Sequence, residues 1–204
     1  MPEPILSLTG FSTRINARLA TAPVDLRLMP GSAVVVRTSG SAVGARLLRA
    51  AAGLATVATG VRVVSAIRTA YVFEDGGLLA NLSLAENVAL PLRFRGLPEG
   101  AVADSLRRFG LGHLADARPS AVGTEARVLT QFARATALEV ELLYAERPFA
   151  GLSELGVQLV EHWFAAHLDA GMGVLLTATD PTLAPGIVVL EPHPTLHGRT
   201  DDDS

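Results

Sequence analysis

Short apolar and β-branched runs alternate along this chain with longer segments of helical character, and this alternation constrains the fold most. Such an order is typical of α/β proteins, in which helices connect the strands of a largely parallel sheet. The run VELLYAE at 140–146 is apolar throughout, as in strands that are buried on both faces. We therefore predict an α/β fold with a parallel sheet at its centre.

The pattern also predicts where the other elements lie. Further strands are expected at 4–9, 24–28, 33–37, 69–74, 173–179 and 186–190, and helices at 44–54, 98–109 and 127–138. Ser83 and Glu86 have the spacing of a capping box before a helix that Pro91 should disturb. Ser153 is a predicted N-cap of a helix that reaches about Ala170.

Composition narrows the class of protein. The chain has 204 residues and a net charge of −3, without the excess of positive charge that nucleic-acid binding requires. It contains no cysteine, which excludes disulfides and thiolate catalysis and fits a reducing compartment. Every basic residue apart from histidine is arginine, so no mechanism can use a lysine ammonium. We see no signal peptide and no membrane-spanning run, and expect a soluble or peripheral protein.

Three stretches together resemble the ATPase subunit of ATP-binding cassette (ABC) transporters, over residues 4 to 190. GSAVGARLLRAAAGL at 40–54 is similar to the phosphate loop and its helix, and YVFEDGGLLANLSLAENVALPLRFRG at 71–96 to the glutamine-loop segment that meets the permease. The segment from Pro119 to Ser153 is similar, without a gap, to the signature-to-D-loop region. The 71–96 segment most resembles the ATPases of Mla-type phospholipid transporters.

The resemblance implies a P-loop NTPase-like parallel sheet with an inserted helical subdomain. It places the core at 1–75 and 138–190, the helical subdomain at about 76–137, and a polar tail at 191–204. It also implies that Gly76, Gly77, Leu78, Leu79 and Leu82 form the permease-docking segment. The alternative for these leucines is that they only close the helical lobe.

The nucleotide-site motifs depart from the family pattern. A phosphate loop needs a lysine and a hydroxyl, yet the lysine position falls on Val43 or Gly44 and the hydroxyl position on Gly44 or Ala45. We regard these and the other matching positions as a vestigial nucleotide site with no catalytic residue. The pocket positions are Gly40, Ser41, Val43, Gly44, Ala45, Glu74, Glu146, Arg147 and Thr179; the signature and D-loop positions are Gly123, Thr124, Glu125 and Ser153.

Arg147 is the most informative of these departures. The family ends the corresponding strand in Asp and Glu, the first associated with Mg²⁺ and the second with the attacking water, whereas this chain has Glu146 and Arg147. A guanidinium stays protonated and cannot act as a general base. We expect Arg147 to pair with Glu146 or another nearby acid, or with Glu125 across a dimer, so that Arg147→Glu would weaken assembly.

The resemblance therefore implies a degenerate subunit that docks on an ABC permease without hydrolysing ATP, as a structural or regulatory part of a phospholipid-type transporter. It implies a peripheral place on the cytoplasmic membrane face, reached only through the permease, and pairing with an ABC ATPase or a second copy. No cofactor and no metal are expected. The alternatives are an active ATPase with unusual site chemistry, which would bind Mg-ATP, and a soluble nucleotide sensor.

Overall fold

The computed structural model describes residues 3–16, 19–37, 42–178, 188–190 and 194–196. The strands within these residues are β1 Leu6–Thr13, β2 Leu19–Thr21, β3 Val24–Leu28, β4 Ala33–Arg37, β5 Val57–Val64, β6 Thr69–Val72, β7 Leu142–Glu146, β8 Gly173–Ala178, β9 Val188–Leu190 and β10 Pro194–Leu196. The helices are α1 Ala42–Ala51, α2 Leu84–Phe94, α3 Ala101–Arg108, α4 Thr124–Ala137 and α5 Glu154–Asp169.

The predicted parallel sheet is confirmed. Its strands run in the order β6-β7-β8-β4-β9, and each described pairing between them is parallel. All five residues of β7 are buried, as its uninterrupted apolar sequence predicts. The carboxyl ends of β6 and β7 are adjacent, since Val72 pairs with Ala145.

The first strands of the chain do not join this sheet. β1 pairs antiparallel with β3 and with β5, and together they form a separate three-stranded sheet. The sequence analysis did not predict β5, since its residues carry glycine and arginine and are mostly exposed. Strand pairing across about fifty residues cannot be seen in local periodicity.

Alternate residues of the parallel sheet face two hydrophobic cores. Leu142 and Tyr144 of β7 face a core built with α1 and the antiparallel sheet. Leu143 and Ala145 face the other core, built with α2, α3, α4 and α5. The period of two along each strand thus separates a layer that carries α1 from a layer of the remaining helices.

The helix termini follow the predicted capping signals. Ser83 caps α2, with Glu86 N–H donating to Ser83 Oγ and Ser83 N–H donating to the Glu86 carboxylate, so the capping box is confirmed. Ser153 caps α5, and that helix ends at Asp169 as expected. α2 continues through Pro91 to Phe94, so the proline does not end it.

Candidate functional site

The site is centred on Glu146, the last residue of β7. Its carboxylate is almost fully buried and accepts hydrogen bonds from three donor atoms of two side chains. Arg49 of α1 donates to both of its oxygens, from Nε to Oε1 and from Nη2 to Oε2, the latter at 2.8 Å. The Tyr71 hydroxyl donates to Oε1 at 2.6 Å. The carboxylate is therefore neutralised within the chain.

Sheet register explains why these groups meet. Tyr71 pairs with Tyr144, and Glu146 lies two residues further along β7, so all three side chains lie on the face that packs against α1. Arg49 approaches from the last turn of α1. The hydrogen bond to Glu146 raises the pKa of Arg49, while burial and then Glu146 raise the pKa of Tyr71. Both groups therefore remain protonated donors at neutral pH.

Arg147 lies beside this cluster and has its own partner. Its Nη1 is 2.9 Å from Glu74 Oε1, and both side chains are nearly half exposed. The prediction that Arg147 pairs with Glu146 is wrong, because Arg49 and Tyr71 occupy that carboxylate, and the alternative of another nearby acid is confirmed. Arg147 has a φ of +39°, a conformation that costs a residue with a Cβ about 1–2 kcal/mol. Its N–H donates to Thr177 Oγ1 at 3.0 Å.

The signature and D-loop positions contact each other within the chain. Glu125 in the first turn of α4 accepts hydrogen bonds from Ser153 Oγ at 2.6 Å and from Ser153 N–H at 3.3 Å. Gly156 makes this approach possible, because a Cβ there would lie 2.3 Å from Glu125 Oε1. The predicted pairing of Glu125 with Arg147 of a second copy stays a prediction. Gly123 and Thr124 lie at the start of α4.

The predicted docking residues lie in the loop at 73–83, which two buried amides hold in place. Gln131 accepts from Phe73 N–H and donates to Phe73 O, both at 2.8 Å. Asn87 accepts from Leu79 N–H at 2.7 Å and donates to the carbonyls of Leu79, Leu82 and Ser83. The loop is therefore fixed at both ends by neutral hydrogen bonds.

The same loop presents apolar surface. Leu79 is 49% exposed, whereas Leu78 and Leu82 are partly buried. Gly76 and Gly77 have positive φ, and a Cβ on Gly77 would lie 2.3 Å from the Phe73 ring. Glycine is thus needed for the tight path that brings Leu79 to the surface.

Of the phosphate-loop positions, Gly40 and Ser41 lie outside the described residues, as does Thr179. Val43 and Gly44 are buried in the first turns of α1, and Ala45 is partly buried there. Arg46, one residue further on, donates to the backbone carbonyls of Arg14 and Ile15. These two hydrogen bonds tie α1 to the segment that follows β1.

The described residues fit a magnesium–nucleotide group poorly. Glu146 is the carboxylate at the expected metal position, but both of its oxygens already accept hydrogen bonds from protonated groups. The described ranges contain no cluster of three or more histidine, aspartate or glutamate residues that could hold a metal ion. None of the helices in these ranges is long and apolar enough to cross a membrane.

The sequence analysis missed four residues of the site. Arg49 and Tyr71 had no local signal, because their contact with Glu146 depends on the packing of α1 and on strand register. Asn87 did have a local signal in the sequence, and so did Gln131. The capping box fixes the helical phase and places Asn87 beside Val88 on the buried face of α2, where an amide needs hydrogen-bond partners.

No protein-family profile matches the chain. Among curated proteins, it is 27% identical over 193 residues to the ribose import ATP-binding protein RbsA 1 of Rubrobacter xylanophilus, covering 85% of this chain but only 39% of that relative. It is 29% identical over 188 residues to the cytochrome c biogenesis ATP-binding export protein CcmA of Rhodopseudomonas palustris, covering 87% and 94%. It is also 27% identical to the lipoprotein-releasing system ATP-binding protein LolD of Roseobacter denitrificans, and the match covers 90% of this chain and 92% of that relative.

Solved structures share the architecture. An ATP-binding subunit of an ABC transporter superposes with a TM-score of 0.80 at 20% identity, covering 91% of this chain and 85% of that one. A dimeric bacterial ABC transporter cassette gives a TM-score of 0.79 at 18% identity, covering 91% and 94%. At these identities the likeness establishes the fold, and it confirms the predicted α/β class with a P-loop NTPase-like parallel sheet.

Proposed function

We propose that this chain, which is related to the ATP-binding subunits of ABC transporters and has their fold, is a non-hydrolysing subunit that docks on a membrane permease. Its role would be structural or regulatory, on the cytoplasmic face of the membrane. The observation that carries the proposal is the engagement of Glu146 by Arg49 and Tyr71. A carboxylate neutralised in this way is a poor ligand for Mg²⁺, which prefers free oxygen donors.

The neighbouring residue supports the same conclusion. Arg147 occupies the position that the resemblance assigns to the water-polarising glutamate, and a guanidinium cannot accept a proton. Its partner Glu74 occupies the position of the loop glutamine. The two substitutions compensate each other in charge, so the polar groups at this strand end are satisfied without a nucleotide.

The signature region gives a third line of support. The resemblance expects donors here that face the nucleotide of an opposite subunit. In this chain the carboxylate of Glu125 is present instead, and it is held by Ser153. A negative charge repels a triphosphate, and the bond to Ser153 would have to break before Glu125 could turn away.

Docking is supported by the 73–83 loop. Asn87 and Gln131 are both 1% exposed, and their side-chain amides are used to hold a loop that keeps Leu79 in solvent. Preorganised loops of this kind lose little conformational entropy when a partner binds. The loop therefore suits a protein partner, and the resemblance to transporter subunits points to the cytoplasmic surface of a permease.

We also propose the class of molecule that the transporter carries. The chain's 71–96 segment resembles that of Mla-type phospholipid transporters, and one relative bears the name of a lipoprotein-releasing system. Both support a cargo of the lipid class. Pairing with a catalytically active ATPase or with a second copy is also proposed, by analogy with the dimeric cassette of the same fold.

Calorimetric titration of the purified chain with Mg-ATP, followed by phosphate release in its native membrane, tests the loss of hydrolysis. We expect neither saturable binding nor turnover. Turnover that Glu146→Gln abolishes would instead establish an active ATPase with unusual site chemistry. Glu141→Gln is the matched control. Glu141 is also ion-paired to an arginine, but it precedes the first residue of β7, at the opposite end of the strand from Glu146.

Crosslinking tests docking separately. The chain has no cysteine, so Leu79→Cys introduces a unique thiol at which a photocrosslinker can be attached. We expect an adduct with an integral membrane protein from position 79. Leu155→Cys is the control, because Leu155 is similarly exposed but lies in the first turn of α5. Equal adducts from both positions, or none from position 79, would contradict docking through this loop.

A further inference from the structure

We propose that the chain also contacts the lipid bilayer directly, through a surface that we call the interfacial tip: Ile67, Phe94, Arg95 and Leu97. This surface inserts its apolar side chains among the headgroups of an anionic membrane. The inference goes beyond docking on a permease, since docking requires no contact with lipid. It is independent of whether the chain hydrolyses ATP.

The two most exposed large hydrophobic side chains in the described part of the chain lie at the tip. Phe94, the last residue of α2, is 83% exposed, and Ile67, just before β6, is 75% exposed. Leu97 is also exposed. Single exposed apolar residues are common, but an exposed aromatic ring beside two exposed aliphatic residues is typical of a binding surface.

Hydrogen bonds bring these residues together and fix their backbone. Ile67 N–H donates to Glu141 Oε2 at 2.7 Å, and Ile67 O accepts from Arg95 Nη2 at 3.2 Å. Leu97 N–H donates to Leu92 O at 2.9 Å, across a turn in which Gly96 has a φ of +63°. Hydrogen bonds therefore hold the backbone beside Ile67 and Phe94 in place while both side chains remain exposed.

Charge at the tip selects the kind of membrane. Arg93 forms a bidentate pair with Glu99, and Arg68 pairs with Glu141, so these two acids are neutralised. Arg95 donates to a carbonyl, and none of the described carboxylates lies within ion-pair distance of it. The tip thus presents a cation next to apolar side chains, which matches the negative surface and apolar interior of an anionic leaflet.

Size favours lipid over a further protein partner. Stable protein interfaces bury about 1,200–2,000 Å², far more than the few side chains of the tip can supply. A bilayer needs no complementary shape, and phenylalanine and arginine both suit its interface, one in the acyl boundary and the other among the phosphates. The tip is therefore an auxiliary membrane contact that would orient the chain on the membrane surface.

Co-sedimentation of the purified chain with protein-free vesicles tests this inference. We expect binding to vesicles of phosphatidylglycerol and phosphatidylcholine in equal parts, and much weaker binding to pure phosphatidylcholine. Phe94→Ser should weaken the partition coefficient about tenfold, and Arg95→Gln about fivefold on the anionic vesicles only. These positions are exposed, so we expect the variants to retain the thermal unfolding midpoint of the wild type.

Leu155→Ser is the matched control, since it removes an exposed leucine elsewhere and should leave partitioning unchanged. Absence of binding by the wild-type chain, or an equal loss in Phe94→Ser and Leu155→Ser, would overturn the inference. So would a Phe94→Ser defect seen only in membranes that contain other proteins, because the tip would then be a protein surface. The vesicles contain no permease, so these results do not depend on the proposed function.

Discussion

The ends of β6 and β7 are neighbours in the sheet, yet their polar groups are satisfied by different kinds of partner. At the end of β7, charged side chains satisfy one another, with Glu146 held by Arg49 and Arg147 held by Glu74. At the end of β6, neutral buried amides satisfy the backbone of the 73–83 loop and leave Leu79 exposed. The first arrangement pairs charges within the chain, and the second holds an apolar side chain in solvent.

Under the proposed function, the end of β7 has lost its affinity for a nucleotide, whereas the loop after β6 has kept a surface for a partner. A strand end whose charges are all paired has little attraction left for a charged ligand. The hydrogen bonds from Asn87 and Gln131 are uncharged, so they hold the loop without a ligand and are not screened by salt, and Arg134 adds one charged donor to Gly77 O. Glu74 belongs to the loop but pairs with Arg147, so the two regions are joined by one exposed ion pair.

Replacing Asn87 should have the largest effect. Asn87→Leu would remove four hydrogen bonds to the loop and leave buried backbone groups unpaired, lowering the free energy of unfolding by about 2–4 kcal/mol. Urea denaturation measures the loss, and limited proteolysis should cut near Leu79. Asn81→Ala, at an exposed position of the same loop, should change neither. Equal stability of the two variants would mean that the loop is not held by Asn87.

Breaking the pair at the end of β7 should cost less. Glu146→Gln leaves Arg49 without its counterion, and we expect a loss of about 1–3 kcal/mol. Because Arg49 is 47% exposed, water can solvate its charge, and we expect a loss near the lower end of that range. A double-mutant cycle with Arg49→Gln, followed by urea denaturation, measures the coupling. A coupling energy of zero would show that the two groups do not stabilise each other.

Arg147 allows backbone strain and charge to be separated. Arg147→Ala removes the exposed ion pair and keeps the strain, whereas Arg147→Gly removes both. We expect the glycine variant to be more stable than the alanine variant by about 1 kcal/mol, by thermal or urea denaturation. High salt should narrow the difference between the wild type and the alanine variant, because it screens the ion pair that only the wild type has. An alanine variant as stable as the glycine variant would argue against a strained φ.

His167, in the last turn of α5, provides a reference away from both strand ends. Burial lowers its pKa from the ordinary value of 6.5, so the unfolded chain takes up a proton before the folded chain does. Stability attributable to His167 is therefore complete above pH 6.5 and falls as the pH drops below that value. His167→Gln should flatten this part of the stability–pH curve, while Asn87→Leu should leave its slope unchanged. An unchanged curve in His167→Gln would assign the slope to other groups.

Much of the architecture follows from local sequence. The periodicity and the capping residues predict the positions of β3, β4 and β7, the capping box of α2 and the N-cap of α5. The resemblance assigns Glu146, Arg147 and Glu125 to the nucleotide site, and their chemistry can also be predicted from the sequence, because an arginine side chain alone decides that it is not a base. The sequence by itself thus determined the fold class and the residue types at the site.

The tertiary structure decided which of these residues meet. Arg49, Tyr71 and Glu146 are far apart in the chain, and their contact depends on strand register and on the docking of α1. The antiparallel sheet of β1, β3 and β5 likewise depends on long-range pairing. A local pattern of apolar residues predicts which face of one helix or strand is buried. Which side chains then contact each other depends on how several helices and strands pack together. That is why the composition of the pocket could be predicted and its internal pairing could not.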